Sequence, residues 1–273
     1  DYRYLVETYG SPLLVLDQAA VRKQYRALVK ALPGVRMHYA LKPLPHSAVV
    51  ATLKAEGCCF DLATNGEVDL MLENQINPDD CIHTHPIKRD GDISYALDYG
   101  CKVFVFDNPI ELEKFIPYQD KAQLLLRVSF PNPESKVDLS KKFGCTPEAT
   151  LPLLRKAKEL GLNVIGLSFH VGSQVPNSRR HVEAITACNQ LIRDAAAENI
   201  NLQVLDIGGG FPVNYAADGA DLDIYEFCAP IREALSNTPE GIRLLAEPGR
   251  FISAPCMTSV SSVMGKAERF GRM

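Results

Sequence analysis

Short apolar runs rich in Val, Ile, Leu and Phe recur along the chain, and polar or turn-forming residues follow each of them. Most of the runs are nearly continuous rather than alternating, which is typical of parallel strands buried on both faces. They lie at 36–42, 58–63, 81–86, 102–107, 123–129, 164–171, 203–209 and 243–249. The pattern therefore predicts eight buried parallel strands.

Segments with apolar residues at helical spacing lie between these runs. The clearest is 148–160, where Gly161 follows at the position of a helix stop and Pro152 must lie in the first turn or kink the helix. Further helices are predicted at 18–32, 65–73, 111–118 and 178–199, with Asn65 as a cap. Eight strand–helix units predict an α/β fold closed into a (β/α)₈ barrel, with a doubly wound open sheet as the alternative.

The two ends of the chain do not fit inside such a barrel. Residues 11–17 form a predicted strand before the first helix, and a Ser/Val/Met-rich strand is predicted at 254–263. We expect residues 1–17 and 253–273 to be fragments of a second, β-rich domain whose remainder is absent, and residues 18–252 to form the barrel.

Charge and cysteine content exclude several classes of protein. The net charge is −4 and no basic run is longer than two residues, which argues against a nucleic-acid partner. No apolar stretch approaches the roughly 18 residues that a membrane span needs. The eight cysteines include no CxxC pair, so we expect no zinc site of that kind, no other metal, and reduced thiols in a cytoplasmic protein.

Polar residues stand at the predicted carboxyl ends of the strands, where a barrel of this type carries its active site. They are Lys42, Asp61, His85, Asp107, Arg127, His170, Gly208, Gly209, Gly210 and Glu247. Each has an ordinary explanation, such as a helix cap, a core histidine, a buried ion pair or a turn. Together they place an amine, carboxylates, imidazoles, a guanidinium and bare amides on one rim.

Two of these features indicate a specific chemistry. Lys42 closes an apolar strand directly before Pro43, and a desolvated amine there can condense with a carbonyl, although a solvated strand end is the ordinary alternative. The run Gly208 to Gly210 is a plausible phosphate cradle, with Arg250 as a counter-charge. A reactive lysine opposite a phosphate cradle suggests pyridoxal 5'-phosphate, with Glu247 beside the pyridine nitrogen.

Five ordered motifs resemble those of a known family. They are Tyr39-Ala40-Leu41-Lys42, Phe60-Asp61-Leu62-Ala63, Ser168-Phe169-His170-Val171-Gly172-Ser173, Asp206-Ile207-Gly208-Gly209-Gly210-Phe211-Pro212 and Ala246-Glu247-Pro248-Gly249-Arg250. In this respect the chain resembles the barrel-type pyridoxal-phosphate decarboxylases of basic amino acids, which have an alanine-racemase-type barrel. The residues of these motifs are most similar to those of ornithine and bacterial lysine/ornithine decarboxylases, and diaminopimelate decarboxylases share some of them.

The resemblance implies a role for each matching residue. Lys42 is the implied Schiff-base lysine, His170 stacks on the cofactor ring, and Glu247 pairs with its nitrogen; these three are the implied catalytic residues. The other implied cofactor contacts are Ala40, Asp61, Arg127, Ser173, Gly208, Gly209, Gly210, Gly249 and Arg250. The implied reaction is decarboxylation of L-ornithine to putrescine, and of L-lysine to cadaverine, in polyamine biosynthesis by a homodimer with shared active sites.

The sequence departs from the family pattern after the barrel, because the family's carboxyl-terminal β-domain, which carries substrate-binding residues, has no counterpart here. We expect that portion to be a separate chain or absent, and we expect negligible turnover without it. The alternatives are a diaminopimelate decarboxylase, a non-catalytic regulatory paralogue or inactive fragment, a Schiff-base aldolase, and a small-barrel cofactor carrier.

Overall fold

The fold is a closed barrel of parallel strands with a short antiparallel sheet beside it. The computed structural model describes residues 1–132, 142–215, 223–268 and 270–271. Its strands are β1 (Leu13–Leu16), β2 (Val35–Ala40), β3 (Cys59–Leu62), β4 (Cys81–His83), β5 (Val103–Phe106), β6 (Gln123–Val128), β7 (Val164–Phe169), β8 (Val204–Asp206), β9 (Arg243–Ala246) and β10 (Met257–Val260).

Helices follow most of the barrel strands and cover them. They are α1 (Tyr2–Tyr9), α2 (Gln18–Ala31), α3 (Ser47–Ala55), α4 (Asn65–Glu73), α5 (Asp90–Tyr99), α6 (Pro109–Glu113), α7 (Pro147–Glu159), α8 (Arg179–Ala197), α9 (Ile224–Leu235) and α10 (Arg250–Ser253). Short 3₁₀ turns lie at Pro78–Asp80, Ile116–Tyr118 and Ala254–Cys256.

Closure of the barrel is shown by the pairing of its first and last strands. β2 to β9 pair in sequence order, and β2 pairs with β9 in parallel, with Met37 opposite Ala246. The predicted (β/α)₈ barrel is therefore confirmed and the open sheet is wrong. Five inward-facing side chains fill the interior: Val105, Leu125, Ile165, Val204 and Leu245. The larger core lies between the strands and the helices, as burial on both faces requires.

The predicted strands at the two ends of the chain pair with each other. β1 and β10 are antiparallel, with Leu13 opposite Val260 and Leu16 opposite Met257. This confirms a fragment of a second β-rich unit. Both strands are shorter than predicted, and β10 begins only at Met257 because a 3₁₀ turn occupies Ala254–Cys256. α1 was not predicted. The domain boundaries at 17/18 and 252/253 stay predictions, and parts of both larger segments lie outside the described residues.

Several local predictions need correction. α4 is capped by Thr64, whose hydroxyl accepts from the Glu67 amide while the Glu67 carboxylate accepts from the Thr64 amide, so Asn65 is the first helical residue and not the cap. Of the two predicted alternatives for Pro152, the first-turn position is wrong, since α7 begins at Pro147, and the kink stays a prediction. The predicted helix 111–118 is a short α6 followed by a 3₁₀ turn.

The remaining expectations concern cysteines and membranes. All eight cysteines are buried and free, as expected for reduced thiols. Within the part of the chain that the structure describes, none of the helices has the length and apolar character needed to cross a membrane.

Candidate active site

A cavity of about 480 Å³ opens at the carboxyl ends of the barrel strands. Eight of the residues predicted as site residues line it: Ala40, Lys42, His170, Ser173, Gly210, Glu247, Gly249 and Arg250. The wall on the side of the small sheet is formed by Phe251, Ser253 and Met257. The strand-end rule therefore places most of the predicted set in one hollow.

Lys42 enters the cavity from the turn that follows β2. Backbone hydrogen bonds hold this turn against its neighbours, since the Leu41 amide donates to the Asp61 carbonyl at 3.2 Å and the Ala40 amide to the Pro248 carbonyl at 3.2 Å. The Lys42 side chain is exposed, which corrects the expectation of a desolvated amine. The turn aims an accessible amine into the cavity, and the described residues do not bury it.

The glycine run opposite is shaped by close backbone contacts. Gly208 has φ +66° and Gly210 has φ +100°, and a Cβ on Gly208 would lie 2.1 Å from the Phe169 carbonyl oxygen. The Gly208 amide donates to Asp206 Oδ1 at 2.9 Å and is thus already used. The amides of Gly209 and Gly210 donate to no described residue, so they remain free for an anion.

His181 supports this run from beneath. Its Nε2 lies 3.0 Å from the Gly209 carbonyl oxygen, and its ring stacks on Phe211 with centroids 5.4 Å apart. Burial lowers the pKa of His181 to about 4, so the ring is neutral at physiological pH and Nε2–H can donate to the carbonyl. Sequence reasoning missed this residue.

Beside the glycines lies a group of side chains suited to an anion. Arg250 donates through Nε to the Ser173 hydroxyl at 3.0 Å and through Nη1 to the Tyr215 hydroxyl at 2.8 Å. Arg250 and Ser173 were predicted, whereas Tyr215 was missed. A guanidinium, a hydroxyl and free amides are the donors that bind a phosphate group.

His170 stands between the glycine run and the lysine. Its Nδ1 accepts the Gly172 amide at 3.0 Å, which places the proton of the neutral ring on Nε2. Burial, followed by the charges of Arg127 and Lys42, lowers the pKa of His170 well below its ordinary value. His170 is therefore a neutral, oriented ring.

Three carboxyl groups lie at the cavity floor, Glu247 at its surface and Asp61 and Asp206 buried below. Burial raises the pKa of Asp61 to about 8, against a hydrogen bond of 2.6 Å that Thr84 donates to Asp61 Oδ1. Burial, and then the neighbouring Asp206, raises the pKa of Glu247 well above its ordinary value. Burial also raises the pKa of Asp206, whose carboxyl group hydrogen-bonds that of Glu247, so one of the two keeps a proton. The set can therefore carry few negative charges unless a cation joins it.

Four predicted residues do not line the cavity. Arg127 lies beneath it, where burial lowers its pKa against the opposing charges of Glu247, Asp107 and Asp61. Asp61, Gly208 and Gly209 are likewise in the layer below. These residues can shape the site without touching its open volume.

Two rim residues that sequence reasoning singled out lie elsewhere. His85 contacts the Phe143 ring edge-on at 5.8 Å, and Asp107 accepts the Gly144 amide at 2.7 Å. Neither Asp61 nor Asp107 is a helix cap, since Thr64 and Asn108 have those positions. Among the described residues no group of His, Cys, Asp or Glu side chains is arranged to hold a metal ion.

The arrangement fits pyridoxal phosphate. The free amide of Gly210, together with Arg250 and Ser173, matches a phosphate. Burial raises the pKa of Glu247 and of Asp206, whose side chains hydrogen-bond each other, so this pair of acids can accept a cation, which a basic ring nitrogen can supply. The accessible amine of Lys42 opens on the same cavity and matches a carbonyl.

Comparisons with known proteins agree with this fit. The family model described as pyridoxal-dependent decarboxylase, pyridoxal binding domain, matches residues 18–254. The chain is 31% identical to the lysine/ornithine decarboxylase of Selenomonas ruminantium, over 98% of this chain and 68% of that protein. It is 34% identical to the ornithine decarboxylase of Mus musculus, over 92% of this chain and 55% of that protein.

A solved structure is also similar. The lysine/ornithine decarboxylase of Vibrio vulnificus complexed with putrescine superposes with a TM-score of 0.92 at 54% identity, covering 98% of this chain and 71% of that one. The chain thus spans little more than half the length of the Mus musculus relative. Because the match at 18–254 includes every barrel strand and every rim residue from Lys42 to Arg250, the chain belongs to the pyridoxal-dependent decarboxylase family.

Proposed function

We propose that the chain is the cofactor-binding barrel of a decarboxylase that removes the α-carboxylate of a basic amino acid, with L-ornithine as first substrate and L-lysine as second. One observation carries the proposal: Lys42, Arg250, Ser173 and Glu247 all open on the same cavity. The Vibrio vulnificus relative, solved with putrescine and with cadaverine, supports the choice of substrates.

Different residues of the cavity would bind different parts of the cofactor. Arg250, Ser173 and the free amide of Gly210 would hold the phosphate of the cofactor, with Gly208 and Gly209 shaping the turn beneath it. Lys42 would hold its carbonyl carbon through Nζ, and Glu247 its ring nitrogen. Pyridoxal phosphate supplies, when bound, the electron sink that accepts the electron pair of the broken carbon–carbon bond.

The protein's own groups then govern protons and water. Neutral His170, fixed by the Gly172 amide, presents a flat uncharged ring and leaves the only proton on Nε2. Glu247, as a carboxylate, would keep the ring nitrogen of the bound cofactor protonated. Lys42 Nζ is placed to hold and return a proton within the cavity, because it is the accessible amine there.

The remaining parts of the assignment are proposals of the same kind. We infer a place in polyamine formation from the diamine products, a cytoplasmic location from the reduced cysteines, and a homodimer with shared sites from the family resemblance. The Asp61 and Arg127 roles in orienting Lys42 also belong here, supported by the charge interactions of Asp61 with Lys42 and Arg127.

A non-catalytic regulatory function is the second candidate. The chain is 33% identical to antizyme inhibitor 2 of Xenopus laevis, over 93% of this chain and 56% of that protein. Such a function would not need an accessible lysine opposite free glycine amides, so cofactor binding separates the two candidates.

The experiment is cofactor fixation. The chain is incubated with pyridoxal phosphate, reduced with borohydride and digested, and mass spectrometry locates the pyridoxyl group. We expect it on Lys42, with loss of the label in Lys42→Met and full labelling in Lys121→Met, an exposed lysine that lies outside the cavity. A label spread over surface lysines, or none, would contradict the proposal.

Substrate choice is tested separately. The chain is fused to the portion of the Vibrio vulnificus enzyme that the match leaves uncovered, and diamine products are measured by chromatography. We expect putrescine from L-ornithine and cadaverine from L-lysine. Lysine formed from meso-diaminopimelate instead would favour the diaminopimelate alternative, and no product from any of the three amino acids despite a labelled Lys42 would contradict the proposed decarboxylation.

A further inference from the structure

A second cavity, of about 350 Å³, opens at the opposite end of the barrel, where the strands begin. Its polar lining comes from different strands: Arg36 and His38 from β2, Gln123 from the start of β6, and Arg243 from the start of β9. Lys102, directly before β5, completes it. Neither the family motifs nor the proposed reaction uses any of these side chains.

The charges around this cavity do not balance. Arg36 pairs with Asp80 at 2.5 Å, and Lys102 pairs with Asp79 at 3.2 Å. Arg243 forms no ion pair with any residue that the structure describes. Asp79 and Asp80 thus neutralise Lys102 and Arg36, and the guanidinium of Arg243 leaves one uncompensated positive charge at the mouth of the cavity.

The neutral polar groups of the cavity are also unsatisfied. The Gln123 side-chain amide has no hydrogen-bond partner among the described residues. His38 is 3% exposed, and its Nδ1 has no partner of good geometry, although the Arg36 backbone lies close enough to interact with the ring. Buried polar groups that lack partners cost free energy, and they are commonly satisfied by water or by a ligand.

The chemistry of these groups selects one class of ligand. Arg243 and the Gln123 amide nitrogen are donors, and a guanidinium matches the planar or tetrahedral oxygens of an oxyanion with two parallel hydrogen bonds. The inner wall is apolar, formed by Ile165, Val204 and Leu245, so the polar groups of the lining lie towards the mouth.

We propose that this cavity binds a small oxyanion, a phosphate or carboxylate group, held by Arg243 with help from Gln123 and His38. The site is at the amino-terminal mouth of the barrel and does not depend on the proposed decarboxylation. Arg36 and Lys102 remain engaged with their acids and contribute a positive field rather than direct ligation.

The test uses histidine-selective isotope labelling and NMR on the chain saturated with pyridoxal phosphate. Inorganic phosphate and acetate are titrated in turn at constant ionic strength. We expect saturable shifts of the His38 ring signals, with the His170 signals reporting separately on the Lys42 cavity. Tighter binding of phosphate identifies a phosphoryl ligand, and tighter binding of acetate a carboxylate ligand; both support the site.

Variants make the test specific. Arg243→Gln should weaken oxyanion binding at least about tenfold, since a charged hydrogen-bonding partner is lost, and Gln123→Met should weaken it roughly threefold. Arg3→Gln, an equal charge change on exposed α1, should leave it unchanged. Unmoved His38 signals, shifts that rise linearly without saturation, or equal titrations in wild type and Arg243→Gln would each overturn the proposal.

Discussion

Two clusters of buried ionisable side chains lie in this barrel, and they are built in opposite ways. In the first cluster, Lys88, Glu111 and Lys114, every charge has a partner. Lys88 Nζ lies 2.9 Å from Glu111 Oε1, the other Glu111 oxygen lies 2.7 Å from Lys114 Nζ, and Lys88 also donates to the Val105 carbonyl at 2.6 Å. The Lys88 and Glu111 side chains are only 1% and 2% exposed.

The second cluster, Asp61, Asp206 and Glu247 with Arg127 nearby, has more acids than bases. Burial raises the pKa of all three carboxyl groups, and the Asp206 and Glu247 side chains hydrogen-bond each other, which requires that one of them keeps a proton. Arg127 interacts with all three, Lys42 interacts with Asp61, and burial lowers the pKa of Arg127 as well. This cluster opens on the cavity through Glu247.

The difference indicates what each cluster does. A buried ion pair whose hydrogen bonds are all made leaves no room for a ligand, so its function is to hold the barrel together. Buried carboxyl groups without enough cations cost free energy in the isolated chain. A cationic ligand that binds beside them offsets this cost, so such a cluster is expected at a ligand site. The cluster with excess acids, formed by Asp61, Asp206 and Glu247, therefore marks the candidate active site, whereas the Lys88 cluster does not.

The first prediction removes a partner from the satisfied cluster. Lys88→Met should lower the free energy of unfolding by about 3–5 kcal/mol, because Glu111 keeps a buried charge and the Val105 and His85 carbonyls lose a donor. Urea unfolding followed by circular dichroism measures the change.

Lys121→Met, at an exposed position, is the matched control and should change the free energy of unfolding by less than about 0.5 kcal/mol. At low temperature, where Lys88→Met is still folded, its affinity for pyridoxal phosphate should equal that of the wild type. Equal stability of the two variants would show that the buried cluster does not hold the barrel together.

The second prediction exchanges one carboxyl group of the unsatisfied cluster. Glu247→Gln should weaken pyridoxal phosphate binding roughly tenfold to a hundredfold, because a hydrogen bond to a charged ring nitrogen is lost. The free energy of unfolding of the cofactor-free chain should change by less than about 1 kcal/mol, because an amide replaces a group that already resists ionisation.

Absorbance titration gives the affinity and urea unfolding gives the stability. The two substitutions are thus expected to have opposite profiles, one affecting stability alone and the other affecting affinity alone. Loss of stability without loss of affinity in Glu247→Gln would erase the distinction between the clusters.

The barrel was predictable because its strands are buried on both faces and so appear as continuous apolar runs. The helices α3, α5 and α9 were missed because their sequences show no equally clear pattern. α9 contains Pro230, which in a sequence usually indicates the end of a helix. Their helical state is set by packing against neighbouring helices, a tertiary effect that local propensity does not contain.

The candidate site was predictable as a set of strand ends, but its internal contacts were not. The ends of the strands predict which residues lie at the rim of the barrel, but the strand register decides which of their side chains touch. Asp206 of β8 lies opposite Leu245 of β9, and this brings the Asp206 carboxyl group towards Glu247. Asp206 lies two residues before Gly208, at the end of the strand that leads into the glycine run, so its position was a usable signal. His181 and Tyr215 lie outside the motifs, and exposure of Lys42 depends on tertiary packing.

The last prediction concerns pH. Asp61 has a pKa of about 8 in the folded chain, above its ordinary value of 3.8, so the folded state keeps a proton that the unfolded state has released. Its contribution to stability is therefore full below the ordinary pKa and is lost as pH rises towards 8. Asp61→Asn keeps an oxygen for the Thr84 hydroxyl and removes the titration.

Relative to the wild type, the free energy of unfolding of cofactor-free Asp61→Asn should rise by about 1 kcal/mol between roughly pH 6.5 and pH 7.5. The buried histidines, whose pKa values are lowered, change stability in the opposite direction, but they are common to both proteins and cancel in the difference. Asp98→Asn, at an exposed position, should show no such pH-dependent difference. A difference between Asp61→Asn and wild type that stays constant over this range would mean that Asp61 is already ionised, and the second cluster would then carry the same full charges as the first.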